Sequence, residues 1–412
     1  MNTAPVYDVV IYGATGFTGT QVAEYFDDHV GGLLRWAIAG RNATTLAELR
    51  TDLRTTPDVL IADADDTAAI DALVSKTRVV LTTAGPFARY GEAVVRSCAT
   101  RGVDYVDITG ETPWVRRLID RYQRRAVASG AKIVPFCGFD SVPSDLGAHL
   151  LVEHFRSQGK STRSVRAFQR AQGGVNGGTI ASMTNMLASA DRNLFDDPLL
   201  LNPDEYRSSD EALANRDPVA PVFDPDLRRW VAPFFMGPIN TRVVRRSHAL
   251  SSQWQRPYGD GFQYQEYWDL GQTMGYGGAA MAALGMGFFQ NLLRVPGVGR
   301  VIEAIAPSPG DGPSEATMDN GFYECRLVGT ADDGTKAWAL IAGKGDPGNR
   351  ATVRFVCESA LCLAMQRDRL PGGIARAGLL TPATAFGDVL VERLRATGET
   401  LECPVDPPQA NP

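Results

Sequence analysis

The sequence predicts an α/β protein built on a doubly wound parallel sheet, with a second domain inserted downstream. Three observations lead there. Six short apolar runs alternate with helical patterns up to Pro135, the first run passes through a glycine-rich turn into a helix, and a half-exposed alternation replaces this pattern after Arg163. The chain has 412 residues, more than one typical domain of about 100–200 residues would use.

Tyr7–Tyr12 is an apolar run suited to a buried parallel strand. It leads into Gly13-Ala14-Thr15-Gly16-Phe17-Thr18-Gly19 and then a helical pattern. In this setting the three glycines have separate tasks. Gly13 permits a tight turn, Gly16 lets backbone approach a pyrophosphate, and Gly19 lets helix and strand pack closely, with the helix N-terminus facing the phosphates. A second strand, Arg35–Ala39, ends in Gly40-Arg41-Asn42. An acid at this place would accept from a ribose hydroxyl and favour NAD, whereas the fork of Arg41 suits a 2′-phosphate, so the expected cofactor is NADP(H).

The alternation continues through Asp58–Ala62, where Asp63 either meets the adenine or caps the next helix. Arg78–Thr83 is a fourth strand and breaks at Ala84-Gly85-Pro86-Phe87, a turn placed over the ribose and nicotinamide. Asp104–Ile108 and Ala131–Pro135 are the fifth and sixth strands, with helical patterns at Glu92–Thr100 and Trp114–Ser129. Ligands of such sheets bind beyond the carboxyl ends of the strands. Cys137-Gly138-Phe139-Asp140-Ser141 falls on that rim, followed by a helix start at Val142–Gly147. Cys137 and Gly138 are therefore expected beside the cofactor, and Tyr90, Asp140 and Ser141 are the candidate proton donors. Each has a structural alternative: Asp140 and Ser141 as helix caps, Cys137 as a small core residue.

Downstream, Ser164–Gln169 alternates as a strand should, and Gly173–Thr179 is a second glycine-rich loop before a helical pattern at Ile180–Ala190. Leu201–Arg229 reads as an irregular excursion, Thr241–Arg246 and Gly261–Trp268 as strands, and Ala337–Leu340 as a late strand. Tyr276–Leu293 carries no charge. It is either a helix packed in a core or interface, or an apolar wall or membrane-surface element admitting an acyl chain. Helices at Glu358–Met365 and Phe386–Leu394 are expected to pack back on the first domain. The resulting division is residues 1–155 for the nucleotide domain, 156–345 for an inserted substrate or dimerisation domain, 346–403 for returning helices, and 404–412 for a disordered tail.

Composition narrows the function classes. Lys and Arg number 41 against 47 Asp and Glu, a net charge of −6 without a basic run, which gives no footprint for nucleic acid. Lys occurs only at 76, 132, 160, 336 and 344, so 36 of the 41 cations are Arg. The six Cys form no CxxC pair and the four His lack zinc-site spacing, so no metal is expected. No secretory leader or spanning segment stands out, and a cytoplasmic location is expected, with peripheral membrane contact as a variant. GxSxG, HExxH and P-loop motifs are absent.

Gly13–Gly19, Ala39-Gly40-Arg41, Ala84–Phe87, Tyr90-Gly91, Asp104–Glu111, Cys137–Gly147, Gly345–Gly348, Glu358–Leu363 and Leu380–Ala383 together resemble the saccharopine dehydrogenase-like oxidoreductases, in their actinobacterial trans-acting enoyl reductase branch. The resemblance spans nearly the whole chain. It implies a Rossmann-type domain, a second α/β domain with a mixed sheet, and NADP use. It makes reduction of a C=C bond in a lipid or polyketide-like substrate the leading expectation. An imine or amino-acid dehydrogenase and a non-catalytic NADP-binding scaffold at a lipid surface are the alternatives. Expected partners are a small, lipid-like substrate, an acyl carrier or membrane surface, and a second copy of the chain.

Overall fold

The computed structural model describes residues 5–30, 32–174, 177, 194, 196–271, 274–293 and 312–408. The helix expected at 180–190 and part of the second glycine-rich loop lie outside these residues.

The first half alternates strand and helix: β1 Tyr7–Tyr12, α1 Phe17–His29, β2 Trp36–Gly40, α2 Ala43–Asp52, β3 Asp58–Ile61, α3 Thr67–Val74 and β4 Thr77–Thr82. Then come α4 Phe87–Tyr90, α5 Glu92–Arg101, β5 Asp104–Asp107, α6 Thr112–Ser129, β6 Lys132–Val134 and α7 Val142–Ser157. These six strands and the short β13 (Gly378–Leu379) form sheet A, in the order β13-β6-β5-β4-β1-β2-β3, with every pairing parallel. Parallel strands covered on both faces need apolar residues at nearly every position. Accordingly Val9, Val10 and Ile11, and Val79, Val80 and Leu81, have no exposed surface.

The second half contains β7 Thr162–Gln172, α8 Ser209–Ala214, β8 Val222–Asp224, β9 Arg229–Pro233, α9 Gly237–Gln253, β10 Gln263–Trp268 and α10 Gly275–Leu293. It continues with α11 Glu315–Asp319, β11 Phe322–Ala331, β12 Lys336–Lys344, α12 Thr352–Met365, β13 Gly378–Leu379, α13 Pro382–Phe386, α14 Asp388–Ala396 and β14 Thr400–Val405. Sheet B has the order β14-β12-β11-β7-β10-β9-β8. It is mixed: β7 and β10 run parallel, while β11 lies antiparallel to both β7 and β12. The expected pair of α/β domains, one with an all-parallel Rossmann-type sheet and one with a mixed sheet, is what the chain forms.

Several local expectations are corrected. Thr241–Arg246 is not a strand but the middle of α9. Its β-branched valines suggested a strand, yet its three arginines are buried by polar partners on different sides of a helix. Arg242 and Arg245 meet Asp217, Arg245 also donates to the Tyr264 carbonyl (2.8 Å), and Arg246 donates to the Leu379 carbonyl (2.6 Å). Phe386–Leu394 is two helices, divided at Gly387, whose φ of 50° lies in the left-handed region. The excursion after Leu201 contains α8 and β8. The returning segment supplies strands as well as helices. β13 extends sheet A, and β14 extends sheet B, with Val405 opposite Trp338, so residues 404 and 405 belong to a strand rather than a tail. Residues 409–412 lie outside the described residues.

A helix links the two layers. α7 starts at the carboxyl rim of sheet A, and its body packs against β7, β11, β12 and β14 of sheet B. Its opening turn is thereby fixed by both sheets.

Candidate active site

β1 ends at Gly13, whose φ is 86° and whose added Cβ would lie 2.8 Å from the Ala84 nitrogen. Only glycine allows this turn and this approach to β4. Thr83 fastens the same junction: its amide donates to the Tyr12 carbonyl (3.0 Å) and its hydroxyl to the Gly13 carbonyl (3.2 Å). Gly19 is tighter still, since a Cβ there would stand 2.1 Å from the Gly13 oxygen. Ala14, Thr18 and Gly19 are buried, while Thr15 and Gly16 are exposed and Phe17 is half-buried beneath Gly312. Gly16 is the N-cap of α1 and provides no side-chain acceptor, so the first-turn amides remain available to an anion. This glycine cradle, open at Thr15 and Gly16, fits a pyrophosphate.

Arg41 follows β2 and is exposed. Its charge and that of Asp63 both reach the Tyr12 hydroxyl, which burial, then Asp63, push up to about 12 against the opposing pull of Arg41. Arg41 and Asp63 thus flank the end of β1, where the adenosine side of a dinucleotide would lie. Asn42 has a structural duty: its side-chain oxygen caps α2 by accepting from Thr44 (2.9 Å) and Thr45 (3.3 Å). Asp63 accepts from the Asp65 amide, and Asp66 rather than Asp63 caps α3.

Past β4, Gly85 is exposed, Ala84 and Pro86 are half-buried, and Phe87 is buried with its ring 6.0 Å from that of Trp114. The start of α4 is held by Glu111, which accepts from the amides of Phe87 (2.8 Å) and Ala88 (3.0 Å). Sequence reasoning did not single out Glu111. Its signal was available: an acid just past the end of a buried strand, in Asp107-Ile-Thr-Gly-Glu111. Tyr90 closes α4 half-buried, with the Arg89 guanidinium 5.0 Å from its ring centre.

The turn after β6 has a left-handed residue, Phe136, at φ 65°. Its amide, like that of Thr109, donates to the Asp107 carboxylate. Burial pushes the Asp107 carboxyl up to about 7. Cys137 is fully buried, its thiol directed to the Val134 carbonyl (3.2 Å) and pushed up by burial. The thiol faces the core, and only the backbone of Cys137 belongs to the rim. Gly138 is buried against Thr352.

Ser141 and Asp140 part company here. Ser141 is fully buried and its hydroxyl donates to Asn240 Oδ1 (3.2 Å); it is the N-cap of α7 without making a side-chain cap. Asp140 is half-buried beside Gly110, whose added Cβ would lie 3.5 Å from Asp140 Oδ2 and 3.1 Å from Ile239 Cδ1. Its surroundings are dense enough that desolvation, followed by the charge of Glu266, pushes its carboxyl up to about 7. Glu266 is itself fully enclosed and accepts from Asn240 (2.9 Å), Tyr264 (2.9 Å) and Gln169 (3.0 Å). No hydrogen bond among the described residues joins Tyr90 to Asp140 or Ser141.

The turn after β9 and helix α9 supply the facing wall. Phe234, Met236, Ile239 and Val243 pack into the same apolar cluster as Phe87 and Trp114, with Trp268 against it. Phe235 and Trp268 (6.4 Å between ring centres) and Trp230 and Tyr276 (4.8 Å) extend aromatic surface away from the rim. Of the arginines that could meet substrate carboxylates, Arg170 is exposed with Glu324 3.9 Å away, while Arg166, Arg242, Arg245 and Arg246 are engaged by other partners. Arg166 meets Asp224 and Asp226, and the other three are held as described above. Among the described residues no cluster of three or more potential ligands could hold a metal.

Residues 9–134 match the family described as saccharopine dehydrogenase NADP binding domain. A trans-acting enoyl reductase of Mycobacterium tuberculosis is 36% identical over 422 residues, covering 96% of this chain and 97% of that protein. One of Mycobacterium ulcerans is 34% identical over 425 residues, covering 95% and 96%. Among solved structures, apo saccharopine dehydrogenase from Saccharomyces cerevisiae aligns with 96% of this chain and 99% of its own, at TM-score 0.52 and 14% identity, a likeness of fold. With an NADP-binding domain and near-complete coverage of these relatives, the chain belongs to the trans-acting enoyl reductase family, within the saccharopine dehydrogenase-like oxidoreductases.

Proposed function

We propose that the protein reduces a C=C bond conjugated to a carbonyl in a lipid or polyketide-like substrate, using NADPH. The observation that carries this reading is Asp140: a carboxyl at the rim, pushed up to about 7, facing an apolar wall across Gly110. The relatives named as enoyl reductases support it. When bound, NADPH would supply the hydride. The first-turn amides of α1 would hold its pyrophosphate, and the Arg41 guanidinium its 2′-phosphate. Protonated Asp140 gives its proton to the substrate α-carbon; burial, and after it the charge of Glu266, holds that proton up to about pH 7. Phe234, Phe235 and Trp268 exclude water and receive the apolar chain.

The engaged arginines count against the amino-acid reading, which needs free guanidinium groups for substrate carboxylates. The uncovered stripe of α10 fits this function too. Met281, Leu284 and Phe288 are exposed at helical spacing, and no helix among the described residues is long and apolar enough to cross a membrane. We assign this stripe to contact with the acyl chain or with the carrier or membrane surface that presents it.

NADPH oxidation assayed against panels of enoyl thioesters and cyclic imines tests the reaction. Turnover of enoyl thioesters alone is expected. Turnover of imines alone, or of neither while NADPH still binds, would remove this reading in favour of the dehydrogenase or the scaffold. Arg41→Ala should weaken NADPH binding about 10- to 100-fold and leave NADH nearly unchanged. Thermal protection by each cofactor measures this, and equal losses for both would contradict the assigned role.

A further inference from the structure

A cavity of about 960 Å³ opens at the opposite, amino end of sheet A. Five arginines line it, from four separate parts of the chain: Arg78 on β4, Arg96 and Arg101 on α5, Arg125 on α6, and Arg367 just after α12. Only two carboxylates, Asp71 and Asp104, share the lining. Arg367 is committed to Asp104 (2.7 Å) and the Gly130 carbonyl (2.6 Å). Arg96 lies 3.4 Å from Asp71, and Arg78 reaches out to Asp8 (3.1 Å). Arg101 and Arg125 make no ion pair among the described residues. Even with Asp8 included, positive charge exceeds negative by two, in a chain whose net charge is −6.

A second observation is independent of charge. Ser97, on the same wall, is only 2% exposed, and its hydroxyl has no hydrogen-bond partner among the described residues. A buried hydroxyl without a partner is costly and uncommon in a folded protein.

We propose that this cavity binds a phosphorylated small molecule carrying at least two phosphate charges. Guanidinium forks match phosphate oxygens bidentately, and a volume near 960 Å³ is ample for a nucleotide-sized ligand. Ser97 donates to the phosphate that reaches deepest, and Arg101 and Arg125 close around it from the mouth. The site is separate from the cofactor cradle, which lies at the other ends of the same strands. A ligand here would contact α3, α5 and α6, the helices that cover one face of sheet A.

The test uses the whole protein saturated with NADP+, so that the cradle and Arg41 are already occupied. Titration calorimetry with inorganic tripolyphosphate should show one site per chain, in a buffer matched for ionic strength. Arg101→Ala/Arg125→Ala should weaken it at least about tenfold, and Ser97→Ala about threefold, with NADPH affinity and circular dichroism unchanged. No tripolyphosphate binding, or binding equally strong in the double variant, would overturn the proposal. Citrate binding in place of tripolyphosphate would overturn the phosphate assignment. A double variant that loses thermal stability while the parent binds no anion would mark these arginines as counter-charges for helix ends, again against the proposal.

Discussion

Asp140→Asn is expected to lower turnover of the enoyl substrate about 10²- to 10⁴-fold, the usual range for a lost general acid. NADPH affinity should change little, because Asp140 is not part of the glycine cradle. The parent should lose activity as pH rises through about 7, since only the protonated carboxyl can donate. The same substitution should stabilise the protein above neutrality. An unfolded chain releases the Asp140 proton near the ordinary value of 3.8, whereas the folded protein keeps it until about 7. Between those values the unfolded state binds fewer protons, so Asp140 lowers stability progressively as pH rises. Asn has no proton to lose. The variant should therefore melt at least about 2 °C higher than the parent near pH 8 and coincide with it near pH 4. Thermal melts at both pH values check the stability half, and pre-steady-state kinetics the catalytic half. A variant that loses activity and also melts lower near pH 8 would show Asp140 to be structural.

The second large effect is at Gly19. An added methyl would lie 2.1 Å from the Gly13 oxygen and 2.9 Å from the Ala14 Cα, both on backbone. To restore ordinary contact, α1 and the turn must separate by about 1 Å or more. Displacements of that size at a binding or reacting centre cost about 10²-fold. Gly19→Ala should accordingly weaken NADPH binding about 100-fold and lower the melting temperature. Gly16→Ala gives the contrast. Its methyl would meet the Gly13 oxygen at 3.5 Å, an ordinary contact, so the fold should tolerate it. Its cost should appear in cofactor affinity alone, because the methyl stands where the pyrophosphate approaches. Fluorescence titration with NADPH beside thermal melts separates the two. Equal melting temperatures for both variants would contradict this account.

Sheet A was legible because its signals are local. Buried parallel strands need unbroken apolar runs, and the turns after them need glycine at fixed places. Sheet B was legible only where strands alternate, as at Ser164–Gln169. Thr241–Arg246 misled because β-branched residues favour strands in general, while the partners that make a helix there are distant: Asp217, and the carbonyls of Tyr264 and Leu379. Within the site, the rim position of the Asp140 turn was readable, but its relation to Ser141 was not. Ser141 is drawn to Asn240, 99 residues away. The burial that raises the Asp140 carboxyl, and Glu266, which adds to it, likewise arise from residues remote in sequence and close only after both sheets have formed.

The placing of β13 and β14 has a consequence for biosynthesis. Six strands of sheet A leave the ribosome early, but β6 has no neighbour on its outer side until Gly378 and Leu379 have emerged. Sheet B, too, lacks the strand beside β12 until Thr400 has been made. Neither sheet gains this outer strand until a segment far downstream of its neighbour has been made. Exposed edges pair readily with other chains, and contacts between distant residues form slowly. Nascent chains of this protein should therefore depend on chaperones until β13 and β14 have emerged, and truncation before β13 should yield aggregates rather than a separable nucleotide-binding domain.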